Sequence, residues 1–214
     1  MSAGKTPAQE ARRATLRPDG TPVRVTRRRA QTRARLLDAA FGVFAARGFG
    51  RVSIEDVCEA AGYTRGAFYS NFDSLDELFF ALYEQRSKVI ADHVAGALDP
   101  APHDLRAALA RVLDALVVDR DWILVKTDFL LHAARIPAVG AELRCQRGEL
   151  LSALAATLAA AVDTATLPAP LHTPEGLARA VSAIHDGAME QLLLYPDVEA
   201  QRKWLGDLLA ALLD

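Results

Sequence analysis

The sequence predicts an all-α protein, with a small N-terminal helical unit joined to a larger helical body, about nine helices in all. Three observations predict it. Apolar residues recur at spacings of three and four along almost the whole chain. No segment alternates apolar and polar residues with period two. Glycines, prolines and helix-capping residues cut the periodic stretches into lengths that suit helices. At 214 residues, 51% hydrophobic and 24% charged, the chain has the composition of a globular protein with one full core or two joined units.

Residues 1–25 carry Gly4, Pro7, Pro18, Gly20 and Pro22 among scattered arginines and few large apolar groups, and read as a flexible basic tail. From Thr26 the pattern turns helical, with Leu36, Leu37, Ala40, Phe41 and Phe44 on one side and Gly48 as the stop. Ser53 is placed to cap a second helix, with Glu55 and Asp56 in the first turn, where the helix dipole favours negative charge. Ile54, Val57, Cys58 and Ala61 give that helix its apolar side, and Gly62 ends it. A third, short helix spans about Thr64–Asn71. A fourth begins at "SLDE", where Ser74 and Glu77 have the spacing of a capping box, and runs towards Val94.

Pro100 and Pro102 interrupt the chain, and the body continues in helices. Leu105, Leu109, Val112, Leu113 and Leu116 form an amphipathic stretch. "DWILVKTDFLLHAAR", Asp121 to Arg135, is apolar nearly all round and is expected to be central. Pro137 opens a long helix through Leu143, Leu150, Leu151, Leu154 and Leu158, and the proline-rich run from Leu167 to Pro174 is a loop. Pro174–Leu194 and Asp197–Leu213 are the last two helices, parted by Pro196.

Charge divides the chain unequally. Residues 1–71 hold 13 Lys and Arg against 6 Asp and Glu, whereas residues 72–214 hold 12 against 21. A basic end that meets an anion and an acidic body that does not is the plain reading. No apolar run approaches the roughly 18–20 residues a membrane span requires, and the basic start lacks the apolar stretch of a secretory signal. The two cysteines, Cys58 and Cys145, stand alone, which suits a reducing cytoplasm and forms neither a disulfide framework nor a CxxC site. Glycine-rich phosphate loops, H-E-x-x-H and nucleophile–base pairs are missing, so nothing supports an enzyme. No cofactor and no metal are expected; a set of Asp128, His132 and His185 would require helix positions that spacing alone does not provide.

The segment "AGYTRGAFYSNF", Ala61 to Phe72, carries the chemistry. Two short helices joined at Gly62-Tyr63 and preceded by a longer one make a helix-turn-helix, whose second helix suits the roughly 12 Å major groove of DNA. Phe68 and Phe72, four apart, would anchor it inward. Thr64 and Arg65 would then lie nearest the base edges, and Arg reads guanine O6 and N7 with two donors at once. Gly66 and Ala67 keep the surface low for close approach. Tyr69, Ser70 and Asn71 could donate to phosphate oxygens, which position the helix. Ahead of it, "TRRRAQTRAR" from Thr26 to Arg35 supplies Arg27, Arg28, Arg29, Arg33 and Arg35 for phosphates or an adjacent minor groove. For the tail before it, the alternative is a solubilising segment without a fixed contact.

These residues resemble the DNA-binding domain of the tetracycline-repressor (TetR) family of bacterial regulators. The likeness covers about residues 28–75 and rests on "LLDAAFGVFAARGF", the Ser53-Ile54-Glu55-Asp56-Val57 run, "AGYTRGAFYSNF" and "DSLDEL". It implies DNA contacts from Arg28, Ser53, Tyr63, Thr64, Arg65, Gly66, Tyr69, Ser70 and Asn71. One position departs from the pattern: the family usually places a phosphate-touching lysine second in the fourth helix, and here Leu75 stands there. The resemblance divides the chain into a tail (1–25), a DNA-binding domain (26–73) and an effector-binding and dimerisation domain (74–214). It implies a homodimer that binds a palindromic double-stranded operator and responds to a small-molecule effector, most often as a repressor.

In the body the expectations are looser. The stripe Leu177, Val181, Ile184, Ala188 and Leu192, and the next one, Leu205, Leu208, Leu209 and Leu212, are expected to form a four-helix seam between two copies. Trp122, Asp128, Phe129, His132, Cys145, His185 and Met189 are the candidates for an effector pocket. The plainer alternative is that Asp128 and His132, four apart, hydrogen-bond each other, and that the aromatic and Met residues are core.

Overall fold

The computed structural model describes residues 27–99, 105–115, 119–165 and 167–211. Among these it contains nine α-helices and no strand: α1 Arg27–Arg47, α2 Ile54–Ala61, α3 Arg65–Tyr69, α4 Leu75–Ala97, α5 Leu105–Ala115, α6 Arg120–Arg135, α7 Pro137–Ala161, α8 Pro174–Gln191 and α9 Val198–Ala211. The predicted tail and Leu212 lie outside the described residues.

The N-terminal boundaries follow local chemistry. Gly48 ends α1 with φ at +83°, a region that side-chain-bearing residues rarely enter, and a single 3₁₀ turn, Phe49–Arg51, leads to α2. Ser53 caps α2 reciprocally: its hydroxyl accepts from the Asp56 N–H at 3.2 Å, and the Asp56 carboxylate accepts from the Ser53 N–H at 2.8 Å. Gly62, left-handed at φ +69°, closes α2, and the Tyr63 N–H donates to the Cys58 carbonyl at 2.9 Å. Thr64 caps α3 through its hydroxyl, which accepts from the Ala67 N–H. The Ser74 hydroxyl caps α4 as expected, accepting from the Glu77 N–H at 3.1 Å. The Glu77 carboxylate, however, accepts from the N–H of Asp73, not of Ser74, so the expected capping box is shifted by one residue.

Three buried clusters organise the interior. The first joins Leu36, Ala40 and Phe44 of α1 to Val57, Phe68 and Phe72, and continues through Leu78 and Phe79 of α4 to Val125 and Phe129 of α6. It is therefore not confined to α1–α3: the N-terminal helices share one core with the middle of the body. Rings mark the junction, with Phe79 stacked on Phe129 at 3.5 Å between centroids and Phe49 edge-on to Phe129 at 4.8 Å. The second cluster gathers Val94, Leu98, Ala108, Val112, Leu158 and Leu177 from α4, α5, α7 and α8. The third packs Ile123 of α6 against Ala188, Met189 and Leu192 of α8 and Leu205 of α9.

Two expectations for the body change. Helix α6 is not covered all round: Ile123, Val125, Phe129 and Ala133 face inward, while Leu130 and Leu131 are exposed. The α8 stripe also finds its partners inside the protomer. Leu177, Ala188 and Leu192 are each no more than 2% exposed, Leu205 is 1% exposed, and Val181, Ile184 and Leu208 are half-buried. That stripe packs on α6, α7 and α9, so Leu177, Ala188 and Leu192 are covered within one protomer without a second copy. No side-chain placement is described for Leu209.

Candidate nucleic-acid interface and effector cavity

Helix α3 has only five residues, and its inward side is spent on Phe68, which is fully buried; Phe72, four residues on, is 1% exposed. With that side fixed, Thr64, Arg65, Gly66, Tyr69 and Ser70 face outward. Arg65 lies 2.6 Å from Glu55 of α2, and its guanidinium sits over the Tyr69 ring at 5.9 Å. The hydrogen bond to Tyr69 and the Glu55 charge both hold the Arg65 guanidinium above its ordinary pKa, so it remains a cation. In the free chain this cation is aimed across the exposed face and braced by a carboxylate that DNA phosphate could replace.

Other predicted contact residues are engaged locally. Ser53 caps α2. The Ser70 hydroxyl donates to the Gly66 carbonyl at 2.8 Å, and the Asn71 amide donates to the Ala67 carbonyl at 2.8 Å. In the chain without DNA these side chains close the end of the short helix. They are also gripped from α1, where Arg29 donates to the Ser70 carbonyl at 2.9 Å and Arg33 to the Asn71 carbonyl at 3.0 Å. Arg33 further lies over the Phe72 ring at 4.2 Å. The short recognition helix is thus locked to α1 by arginines that sequence reading assigned to phosphates. Between α1 and α3 runs an open groove bordered by Arg28, Arg29, Arg35, Tyr63, Ser70 and Asn71. Leu75, in place of the family's lysine, packs half-buried against the first core.

The body encloses a cavity of about 190 Å³ among α4–α8, with walls that include Ile90, Val94, Leu151, Leu154 and Val181. Of the predicted pocket residues, Trp122, His185 and Met189 line it. Asp128, Phe129, His132 and Cys145 do not, and each has a physical reason. Phe129 is fully buried in the first core, on the DNA side of α6. Asp128 accepts from the Phe49 N–H, and His132 Nε2 lies 3.0 Å from Asp76 Oδ1, so the two do not pair with each other. Cys145 is exposed on α7, whereas Cys58 is buried. Among the described residues no three His, Cys, Asp or Glu side chains gather as a metal site, and Asp128, His132 and His185 do not meet.

The sequence marks Lys126 as a polar group on an apolar helix that requires a partner, but does not point to Arg86, Asp119, Arg147 or Asp186 of the cavity. Arg86 of α4 is paired with Asp119 at 2.9 Å, and its guanidinium lies over Phe41 at 4.5 Å and Trp122 at 5.5 Å. Lys126 of α6 and Arg147 of α7 converge on Asp186 of α8 at 2.8 and 2.9 Å. Burial alone would push the Asp186 carboxyl up; the His185 ring, 3.6 Å away, and the charges and hydrogen bonding of Lys126 and Arg147 outweigh it and hold the group well below the carboxylate range. The available signal was Lys126 inside an apolar helix, which required a distant carboxylate.

The fold and the outward face of α3 define a helix-turn-helix regulator, and comparison with known proteins agrees. Residues 36–82 match the family of bacterial regulatory proteins, tetR family, and residues 101–214 match the C-terminal part of BetI-type transcriptional repressors. The chain is 34% identical over 186 residues to the probable HTH-type transcriptional regulator ArpR of Pseudomonas putida, covering 82% of this chain and 87% of that protein. The HTH-type transcriptional regulator TtgR, also of Pseudomonas putida, matches with the same identity and coverage. Among solved structures, the multidrug binding protein EbrR complexed with imidazole is 30% identical, with a TM-score of 0.62 over 85% of this chain and 94% of that one. A putative TetR-family regulator from Rhodococcus sp., at 21% identity and a TM-score of 0.70 over 86% of this chain and 100% of that one, shares the fold. This chain belongs to the TetR family; it is a DNA-binding transcriptional regulator and not an enzyme. No helix among the described residues is long and apolar enough to cross a membrane.

Proposed function

We propose that this chain acts as a homodimeric repressor in the cytoplasm, released from a palindromic operator by a small molecule bound in the α4–α8 cavity. The observation that carries the reading is the outward face of α3, which presents Arg65 while Phe68 and Phe72 hold the helix from behind and an arginine-bordered groove runs between α3 and α1. Residues 26–73 serve as the DNA-binding unit and 74–214 as the effector and dimerisation body. In the DNA-bound state two recognition helices sit about 34–36 Å apart in successive major grooves. Effector occupancy favours a dimer state with a different spacing. Both α4 and α6 run from the first core to the cavity, and so either can carry the change.

Burial of the α8 stripe within the protomer supports a dimer seam on the outward sides of α8 and α9. Ala183, Gly187 and Leu194 face out on and just past α8, and Trp204, 46% exposed, does so on α9. Leu194 at 77% and Tyr195 at 63% are the most exposed large apolar groups among the described residues. Neighbouring apolar residues of this kind suit a two-fold contact.

The test is footprinting on the DNA upstream of the chain's own gene at two salt concentrations. Protection of two related half-sites, weakening as salt rises, is the expected result. Uniform binding without a footprint would overturn the reading of α3 as the base-reading element.

A further inference from the structure

The cavity has apolar walls and one charged end, and the charges at that end do not balance. Both oxygens of Asp186 are taken, Oδ1 by Lys126 Nζ at 2.8 Å and Oδ2 by Arg147 Nη2 at 2.9 Å. Two full cations therefore share one carboxylate. His185 Nδ1, 3.6 Å from Asp186 Oδ1, adds a further donor and no acid. The other ion pair on the wall, Arg86 with Asp119, is matched one to one and contributes no net charge. Glu190 borders the small adjoining cavity behind the cluster and is solvent-exposed, and the Arg147 side chain at 37% also reaches water, so Lys126, at 18%, is the more enclosed of the two cations. Tyr83 lines the same end as Arg147, and burial pushes its phenol up, so it stays a hydroxyl donor at neutral pH.

An uncompensated charge beside apolar walls is unfavourable, and a ligand that brings the missing counter-charge relieves it. A cationic ligand would meet the surplus with no unshared carboxylate to receive it, and a neutral one would leave it in place. We propose that the effector is an apolar monoanion, a single acid group on a hydrocarbon or aromatic body, with the acid group received between Lys126 and Arg147 in competition with Asp186. The body of the ligand then lies along Ile123, Leu151, Leu154, Val181 and Met189. This rests on the reading of the cavity as the effector site.

The experiment uses the full chain and two fluorescent probes of one skeleton: 1-anilinonaphthalene-8-sulfonate, a monoanion, and N-phenyl-1-naphthylamine, its neutral counterpart. Fluorescence titration gives affinity and calorimetry gives stoichiometry. The sulfonate is expected to bind once per chain and about tenfold or more tighter than the neutral probe, as a charged hydrogen bond implies. Lys126→Met and Arg147→Met should each erase that preference while still binding the neutral probe, which reports an intact cavity. Asp186→Asn keeps both cations and removes their competitor, so it should tighten sulfonate binding. Equal affinities in the unaltered chain, or a preference that survives both methionine variants, would overturn the anion inference and leave an effector cavity standing. Binding of neither probe would overturn both readings.

Discussion

Asp128 of α6 accepts a hydrogen bond from the backbone N–H of Phe49, in the turn that closes α1, 79 residues earlier in the chain. The turn is shaped for it: a Cβ on Gly48 would lie 3.2 Å from the Asp128 carboxylate, at a φ that only glycine adopts readily. One turn further along α6, His132 pairs with Asp76 at the start of α4. Phe129, between them, stacks on Phe79. Helix α6 thus meets the Phe49 turn through Asp128 and the first turns of α4 through His132 and Phe129, while Trp122, Ile123 and Lys126 of the same helix line the cavity.

Asp128→Ala leaves the part-buried Phe49 N–H without its acceptor and should cost about 1–3 kcal/mol of stability, read by urea denaturation. Asp128→Asn keeps an acceptor oxygen and should lose less. In an operator-release titration, the alanine variant should need more effector than the parent chain, because α6 would then be less firmly tied to α1.

Arg65→Ala should reduce operator affinity roughly ten- to hundredfold while hardly changing affinity for scrambled DNA, measured by fluorescence anisotropy at fixed salt. Its partner Glu55 is exposed, so thermal stability should stay nearly unchanged. Gly66 offers an independent check. A Cβ there meets only the Thr64 hydroxyl at 3.7 Å, so Gly66→Leu should fold normally and still block the approach of α3 to DNA.

Asp186 makes stability depend on acid. Its folded pKa is depressed, so its contribution is present above the ordinary carboxylate pKa of about 4 and is lost as pH falls towards the folded value. Asp186→Asn should destabilise the chain at neutral pH by roughly 3 kcal/mol, the lower end for a part-buried ion pair deprived of one partner. Melting curves of the two proteins should converge as the pH is lowered from 6 to about 2. A constant gap across that range would place the loss in packing instead of charge.

The two sides of α8 should separate cleanly under mutation. Gly187 has nothing within 4 Å of a Cβ position, so Gly187→Glu should leave each protomer folded and shift sedimentation towards monomer. Leu177, on the opposite side, is 2% exposed; Leu177→Ala should lower stability by about 2–5 kcal/mol without a direct effect on self-association.

Much of the fold was legible because its signals are short-range. Ser53, Gly62, Thr64 and Ser74 act on backbone groups within four residues, and their caps appear where the residue types require them. Phe68 and Phe72 had to turn inward, since nothing else near α3 is large and apolar enough to hold so short a helix. Arg65 then had to face out. Asn71 and Ser70 looked equally available for DNA, but at the end of so short a helix the Asn71 amide donates to the Ala67 carbonyl and the Ser70 hydroxyl joins its own N–H on the Gly66 carbonyl.

What the sequence alone determined, then, is that the chain is helical, where several helices are capped, that it carries a helix-turn-helix, and that Arg65 faces outward on its second helix. Those features depend on local hydrogen bonding and on a periodic apolar side. The tertiary structure decided what covers each apolar side. Periodicity marks Leu177, Ala188 and Leu192 as buried, but burial by a second copy and burial by α6 and α7 have the same sequence signature. The same holds for charge: Asp128 required a partner, and Phe49 proved nearer than His132 because the chain path brings α6 across the end of α1. The meeting of Lys126, Arg147 and Asp186 arises in the same way, from three helices whose faces come together only when the core is packed.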